Sequence, residues 1–400
     1  MNSRERFLAV LNQQPVDSIP CSFMLFFNLY NRCKSELEYI SQEVELGLDA
    51  HVHVGHLNHT MHLTGILHPE AKYSQWTEVK EGQTYYCRRI DTPKGPLTSR
   101  IKQWDGWPTD SDFPLMKDWL IPRADEFLVK PERDLEKLKY VFGPFKDADI
   151  EQLREEAREA KAIADKFQLP LVGGWKGNVD PTLQVDPGVM GCDAMSWLSG
   201  YEQVMELSLL QPELIQEYAA IICDWNLKQI EIYLDVTAAD IIIRRAWYET
   251  TEFWTPAAFR RIVVPTLKKE AALIHQAGKK YGYIITSAFM PILDDILDAG
   301  VDVLIGLDPK EGKGTDLQKV KDKFTAKKKC LWGGVSGAVT VETGTQQETE
   351  EAVIQALGVL GQGGGFILSP VDNVREDTPN AWQNTRKFIE TWKTYRQAFV

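Results

Sequence analysis

The sequence predicts an α/β fold built as a single (β/α)8 barrel over residues 1–400, with an antiparallel β insertion near residues 73–121. Three observations carry this. Eight short apolar runs lie along the chain, and from residue 169 onward each is followed by a helical stretch, the rhythm of parallel strands joined by helices. Residues 73–121 break that rhythm with alternating polar and apolar positions. A chain of 400 residues, 44% of them hydrophobic, can also bury one large core.

Taken in order, residues 1–14 (MNSRERFLAVLNQQ) form a charged amphipathic helix with no apolar signal segment. Residues 19–27 (IPCSFMLFF) are almost continuously apolar, as a strand buried on both faces is. A helix with Glu36, Glu38, Glu43 and Glu45 on its wet side follows, then a short strand carrying His51 and His53. In the insertion, Glu81-Gly82 and Pro93-Lys94-Gly95 mark hairpin turns. Residues 131–166 form a charged helical stretch. Strands are then expected at 169–175, 239–243, 283–286, 301–307, 330–334 and 363–370. Helices follow them up to residue 232 and over 256–277, 291–299, 316–324, 347–360 and 379–399.

Composition narrows the partners. The formal charge is −12, from 45 basic and 57 acidic residues, and no basic tract alternates with aromatics, which argues against nucleic acid. No apolar run reaches membrane-spanning length. Six cysteines without ligand-like spacing read as reduced thiols, so a cytoplasmic protein acting on a small molecule is expected.

Six of the seven histidines, His51, His53, His56, His59, His62 and His68, fall within residues 51–68. Imidazole is the commonest metal ligand and titrates nearest neutral pH. His51 and His53 alternate along a strand and share one face with Asp49. Neither H-E-x-x-H nor C-x-x-C accompanies them, so no metal ligand set is assigned.

In a barrel of this kind, chemistry sits where the strands end at their carboxyl termini. Reading off those ends places Asn28, His53, His56, Trp175, Lys176, Asn178, Asp180, Arg244, Arg245, Thr286, Ser287, Asp308, Ser336, Asp372 and Asn373 around the mouth. Ser, Thr, Asp and Asn are also ordinary helix caps, so part of this set is expected to be structural. Trp175 and Trp247 are placed to stack on a planar or methylated substrate. The adjacent Arg244 and Arg245 favour an anionic substrate, unless one of them pairs with Asp308 or Glu249.

Several phrases resemble the uroporphyrinogen decarboxylase superfamily, and most of all its corrinoid-linked methyltransferase branch: residues 3–20 (SRERFLAVLNQQPVDSIP), residues 255–304 (TPAAFRRIVVPTLKKEAALIHQAGKKYGYIITSAFMPILDDILDAGVDVL) and residues 363–392 (GGGFILSPVDNVREDTPNAWQNTRKFIETW). The resemblance implies a (β/α)8 barrel, a homodimer, and methyl transfer or decarboxylation. Both branches' signatures are altered. Where the decarboxylases carry an arginine-rich R-Q-A-G-R segment, this chain has FMLFFNLYNRC, with Arg32 alone. Where the methyltransferases place a zinc-binding His-x-Cys and a later cysteine, it has Ile284-Ile285-Thr286 and Val371-Asp372. Arg244-Arg245 stands where the family often carries acidic residues.

Three readings follow. A methyltransferase without the zinc thiolate would pass a methyl group from an ether or amine to a corrinoid carried by a partner protein. Acid assistance would come from His53, His56, Asp180 or Asp308. The small, anionic or methylated substrate would be held by Asn28, Trp175, Asn178, Arg244, Arg245, Trp247, Thr286, Ser287 and Asp372. A decarboxylase of a smaller acid, needing no cofactor, would use Arg244, Arg245, His53 and Asp180. A metal-dependent hydrolase would take His51 and His53 as an H-x-H pair with Asp308.

Overall fold

In a computed structural model, which describes residues 1–55, 67–106, 113–175 and 188–400, the chain is a mixed α/β structure with two sheets. Seven parallel strands lie in the order β1 (Val52–His53), β6 (Leu171–Gly173), β7 (Ile241–Arg245), β8 (Lys280–Ile284), β9 (Val303–Leu307), β10 (Cys330–Ser336) and β11 (Phe366–Val371). All seven are buried on both faces, which is why their sequences read as unbroken apolar runs rather than alternating ones.

The expected eighth strand departs from the prediction. Residues 19–27 make a single parallel bridge, Cys21 to Leu368, and no ladder, so the ring is not closed by a continuous sheet. Ser22 N–H donates to the Leu368 carbonyl at 3.0 Å, and Asp49 N–H to the Cys21 carbonyl at 2.8 Å. Side chains replace the remaining ladder partners. The Asp49 carboxylate accepts from Cys21 N–H at 3.2 Å and Ser369 Oγ from Met24 N–H at 2.8 Å. A segment whose amides are satisfied this way has no need to pair along its length.

The antiparallel insertion is present and slightly longer than expected. It comprises β2 (Lys72–Lys80), β3 (Gln83–Thr92), β4 (Gly95–Lys102) and β5 (Ala124–Glu126), paired in that order. The β2–β3 turn has φ +53° at Glu81 and +77° at Gly82, the left-handed pair that matches strand twist in a two-residue hairpin. The expected helix over 131–166 is interrupted. A short turn, Pro131–Asp134, and another, Leu138–Val141, precede the long helix Asp147–Phe167, because Gly143 and Pro144 cannot continue a helix. Among the described residues, no helix is long and apolar enough to cross a membrane.

Candidate functional site

A cavity of about 340 Å³ opens at the carboxyl ends of the parallel strands. Trp175 follows β6, Arg245 ends β7, Trp247 and Tyr248 follow it, and Asp372, Asn373 and Arg375 follow β11. Phe27 and Leu25 close one side. Met116, Lys117 and Asp118, just before β5, close another. Gly174 allows the chain to leave β6 close against β7. Its φ is +88°, and a Cβ there would sit 2.6 Å from the Ile243 carbonyl oxygen.

Arg245 organises the wall. One guanidinium nitrogen donates to Asp193 and the other to Asp118, at 3.0 and 3.3 Å from its two oxygens. The guanidinium carbon lies 4.5 Å from the ring centres of both Trp197 and Trp247. Asp118 also accepts from the Tyr248 hydroxyl and from the Trp197 indole N–H at 2.9 Å. Burial pushes the Asp118 carboxyl up, but Arg245 and these donors bring it below the usual carboxylate range. Burial raises Asp193 to about 7 against the pull of Arg245, and lowers Lys117 to about 8. Asp372 is raised by burial, which outweighs Arg375, 3.1 Å from one oxygen, and Arg245. Its other oxygen has no partner among the described residues.

Arg244, its neighbour, points the other way. It donates to Glu249 and, at 2.8 Å, to Glu270, with Thr266 at 3.1 Å, and all four side chains are buried. The Tyr283 hydroxyl donates to Glu249 at 2.6 Å. The arginine pair expected at the mouth is therefore split: Arg244 is locked between a loop carboxylate and a helix carboxylate, and of the two Arg245 alone reaches the cavity. Neither guanidinium is left as a free fork for a substrate anion.

His53 is buried beneath the cavity wall rather than in it. Its Nδ1 lies 2.9 Å from the Trp175 carbonyl, its Nε2 lies 3.1 Å from Nε2 of His51, and His51 Nδ1 lies 2.9 Å from the Ser22 hydroxyl. A carbonyl only accepts, so His53 carries its proton on Nδ1. In the neutral pair, His51 Nε2–H then donates to His53, and Ser22 donates to His51. Burial lowers the His51 pKa to about 4, consistent with an uncharged ring. The ring nitrogens of the H-x-H pair are spent on one another and on Ser22 and Trp175, leaving none directed at a shared metal position. No group of three or more potential ligand side chains occurs among the described residues. His68 packs edge-on against Tyr140.

This pair carries a pH prediction. Between about pH 6.5 and 4 the unfolded chain binds a proton at His51 that the folded chain refuses, so stability is full above that window and falls as pH drops through it. The loss amounts to about 3 kcal/mol at most. His51→Gln should flatten the urea midpoint over this window relative to the parent; an unchanged pH slope would show that His51 is not the group responsible.

Of the remaining residues chosen from the strand ends, Asn28 holds the loop after β11 through its backbone to Val374 and its amide to the Glu376 carbonyl at 3.2 Å. Asp308 caps its own turn, accepting from Lys310 N–H at 2.7 Å and Glu311 N–H at 2.9 Å. Ser287 donates to Glu252 at 2.5 Å. None of these three, nor Thr286, lines the cavity. His56, His59, His62, Lys176, Asn178 and Asp180 lie outside the described residues. Lys117, Asp118, Asp193 and Trp197 were not legible as site residues. Lys117 and Asp118 precede β5, and Asp193 and Trp197 lie on one short helix; Asp118 and Asp193 meet the mouth through ion pairs with Arg245, and Trp197 through its ring against the same guanidinium.

A parallel α/β scaffold with an aromatic and carboxylate-lined cavity at its strand ends defines the class. A family model for uroporphyrinogen decarboxylase (URO-D) matches residues 192–395, more than half of the chain, and the protein belongs to that family. Among solved structures, a methyltransferase from Methanosarcina mazei shares the fold, with a TM-score of 0.60 and 16% identity over 99% of both chains. A 3-keto-D-glucoside 4-epimerase from E. coli aligns with a TM-score of 0.35 and 16% identity, over 66% of this chain and 95% of its own. A 3-keto-L-gulonate-6-phosphate decarboxylase from Vibrio cholerae aligns with a TM-score of 0.27 and 12% identity, over 60% and 93%. A search of curated proteins found no match.

Proposed function

We propose that this URO-D family protein is an enzyme that transfers a methyl group from a small, neutral or cationic methylated compound to a corrinoid on a carrier protein, with Asp372 as the acid that protonates the leaving group. The observation that carries the reading is the cavity itself. It is walled by Phe27, Trp175, Trp197, Trp247 and Tyr248, and its buried guanidinium is already shared between Asp118 and Asp193. A tetrapyrrole with eight carboxylates needs several free cations and more room, since about 340 Å³ lies near the lower end for small-molecule sites. The whole-length fold likeness to a protein named a methyltransferase supports the same branch.

The residues do not fit a zinc thiolate. Ile284, Thr286 and Val371 offer no ligand at the positions concerned, and no cysteine is among the residues lining the cavity. No step is therefore routed through zinc. The corrinoid enters as a second substrate, supplying reduced cobalt as methyl acceptor. The aromatic walls hold the methylated end of the donor and exclude water. As the bond from methyl to oxygen or nitrogen breaks, its electron pair stays on the leaving atom, which takes the Asp372 proton. A carboxyl raised by burial keeps its proton to a higher pH than a solvated one, which suits it to that task.

The test is direct. The purified protein is mixed with chemically reduced cobalamin and a panel of methoxy and methylammonium compounds, and the methylcobalamin absorbance is followed. Growth of that band with at least one donor is expected. Release of CO₂ from a panel of small carboxylic acids, without methyl transfer to cobalamin, would replace this reading with decarboxylation.

A further inference from the structure

The polar atoms left over at the cavity are mostly hydrogen-bond donors. Among the described residues lining it, four buried side-chain atoms have no partner: Asn373 Nδ2, Trp175 Nε1, Trp247 Nε1 and Asp372 Oδ1. Asn373 and Trp175 are each only 4% exposed. The Asn373 amide oxygen accepts from Phe27 N–H at 3.3 Å, so its nitrogen is the atom left over, and an indole nitrogen can only donate. A buried donor without an acceptor costs free energy, and three at one cavity mark a place where a ligand supplies the acceptor. The protein's own side-chain acceptors there are spent. Both oxygens of Asp118 accept, from Arg245, Tyr248 and Trp197, and one oxygen of Asp372 faces Arg375. The ordinary seat of an ammonium ion is taken as well. The Arg245 guanidinium carbon lies 4.5 Å from the ring centres of Trp197 and Trp247 and 5.7 Å from that of Tyr248. Lys117 lines the same cavity, so a cationic ligand would join two cations already present.

We infer that the cavity selects a methoxy compound over a methylammonium one, and that Asn373 and Trp247 determine this specificity by donating N–H bonds to the ether oxygen. The inference rests on the methyl-transfer reading above and narrows its donor. Lone pairs decide the matter. An ether oxygen carries two lone pairs when bound and a third once the methyl–oxygen bond breaks, enough for the Asp372 proton and both N–H donors. A methylammonium nitrogen carries none when bound and one afterwards, which the Asp372 proton takes. The two N–H groups would then stay buried and unpaired, which is how a site built for an oxygen rejects an analogue without one. Their bonds to oxygen also strengthen as it gains charge, so they act on the transition state in the manner of an oxyanion hole.

Binding tests the oxygen without requiring turnover. Ligand-observed NMR titrations of the full-length protein compare anisole with ethylbenzene, which has a methylene in place of the oxygen, and with phenyltrimethylammonium. Anisole should bind about fivefold or more tighter than either. Asn373→Asp keeps the acceptor for Phe27 N–H and removes only the donor, and Trp247→Phe keeps an aromatic ring and removes only the indole N–H. Each should shrink the ratio of anisole to ethylbenzene affinity by about threefold or more. Equal affinity for anisole and ethylbenzene overturns the inference, as does tighter binding of the ammonium ion or a ratio unchanged in both variants. Methylcobalamin formed as fast from methylammonium donors as from methoxy ones also overturns it, while leaving methyl transfer itself standing. Conversely, an anisole preference lost in both variants, with no methylcobalamin from any donor, upholds the oxygen site and removes the reaction assigned to it.

Discussion

Arg244→Leu is expected to cost about 3–5 kcal/mol of folding stability, the range for breaking a buried ion pair from one side. Glu249 and Glu270 are fully buried, and each directs a carboxylate oxygen at this guanidinium. Other donors are present: Tyr283 and Cys192 N–H on Glu249, Tyr281 and Asn226 on Glu270. These satisfy lone pairs but carry no positive charge. Removing Arg244 leaves two carboxylates in a medium that cannot solvate them. A urea titration of the variant measures the loss. Adding Glu249→Gln and Glu270→Gln to Arg244→Leu should recover part of it, because neutral amides need no counter-charge. A single-variant loss below about 1 kcal/mol would mean that water reaches the cluster.

The second large effect concerns the reaction. Asp372→Asn should lower kcat about 10²- to 10⁴-fold if Asp372 is the acid, since an amide keeps the shape and one acceptor but has no proton to give. The direction of the pH effect follows from the raised pKa. The parent should be active while Asp372 is protonated and lose kcat as pH rises through its folded pKa; the variant should lack that limb. The parent's stability should fall over the same rise in pH. A carboxyl whose folded pKa lies above its unfolded one favours folding below the unfolded pKa and loses that contribution as pH rises through the folded pKa, leaving an ionised group the fold desolvates. Asp372→Asn removes the penalty. The variant should therefore be at least as stable as the parent at pH 8, and far less active than the parent at the lower pH where Asp372 is protonated. An active variant would remove Asp372 from the mechanism, and an inactive, destabilised one would point to a structural role.

The contrast between Arg244 and Arg245 shows where sequence reading stopped. Both stand at the end of one apolar run, and residue type and position mark both as mouth residues. Successive strand side chains face opposite sides, so only one can reach the cavity. Which one depends on where Glu249, Glu270 and Thr266 sit, and those come from a loop and a helix. Trp175, Arg245, Asp372 and Asn373 line the cavity, and Trp247, chosen as an aromatic near a strand end, lines it too. Ser287 and Asp308 are also at strand ends, but Ser287 bonds Glu252 in a neighbouring loop and Asp308 caps its own turn.

The sequence by itself determined the α/β class, seven of the eight parallel strands it led us to expect, the antiparallel insertion with its Glu81-Gly82 turn, and the family. Hydrophobic period, glycine placement and continuous apolar runs are local properties, and local properties are written in neighbouring residues. Only the tertiary structure decided three further points. The first segment pairs by one bridge because the Asp49 and Ser369 side chains replace its ladder. The His51–His53 pair closes on itself instead of opening to the cavity. Asp118, from the insertion, neutralises the Arg245 guanidinium at the cavity. Each depends on a contact between residues well separated in the chain or on the direction a hydrogen bond takes in space. Neither can be read from spacing along a line.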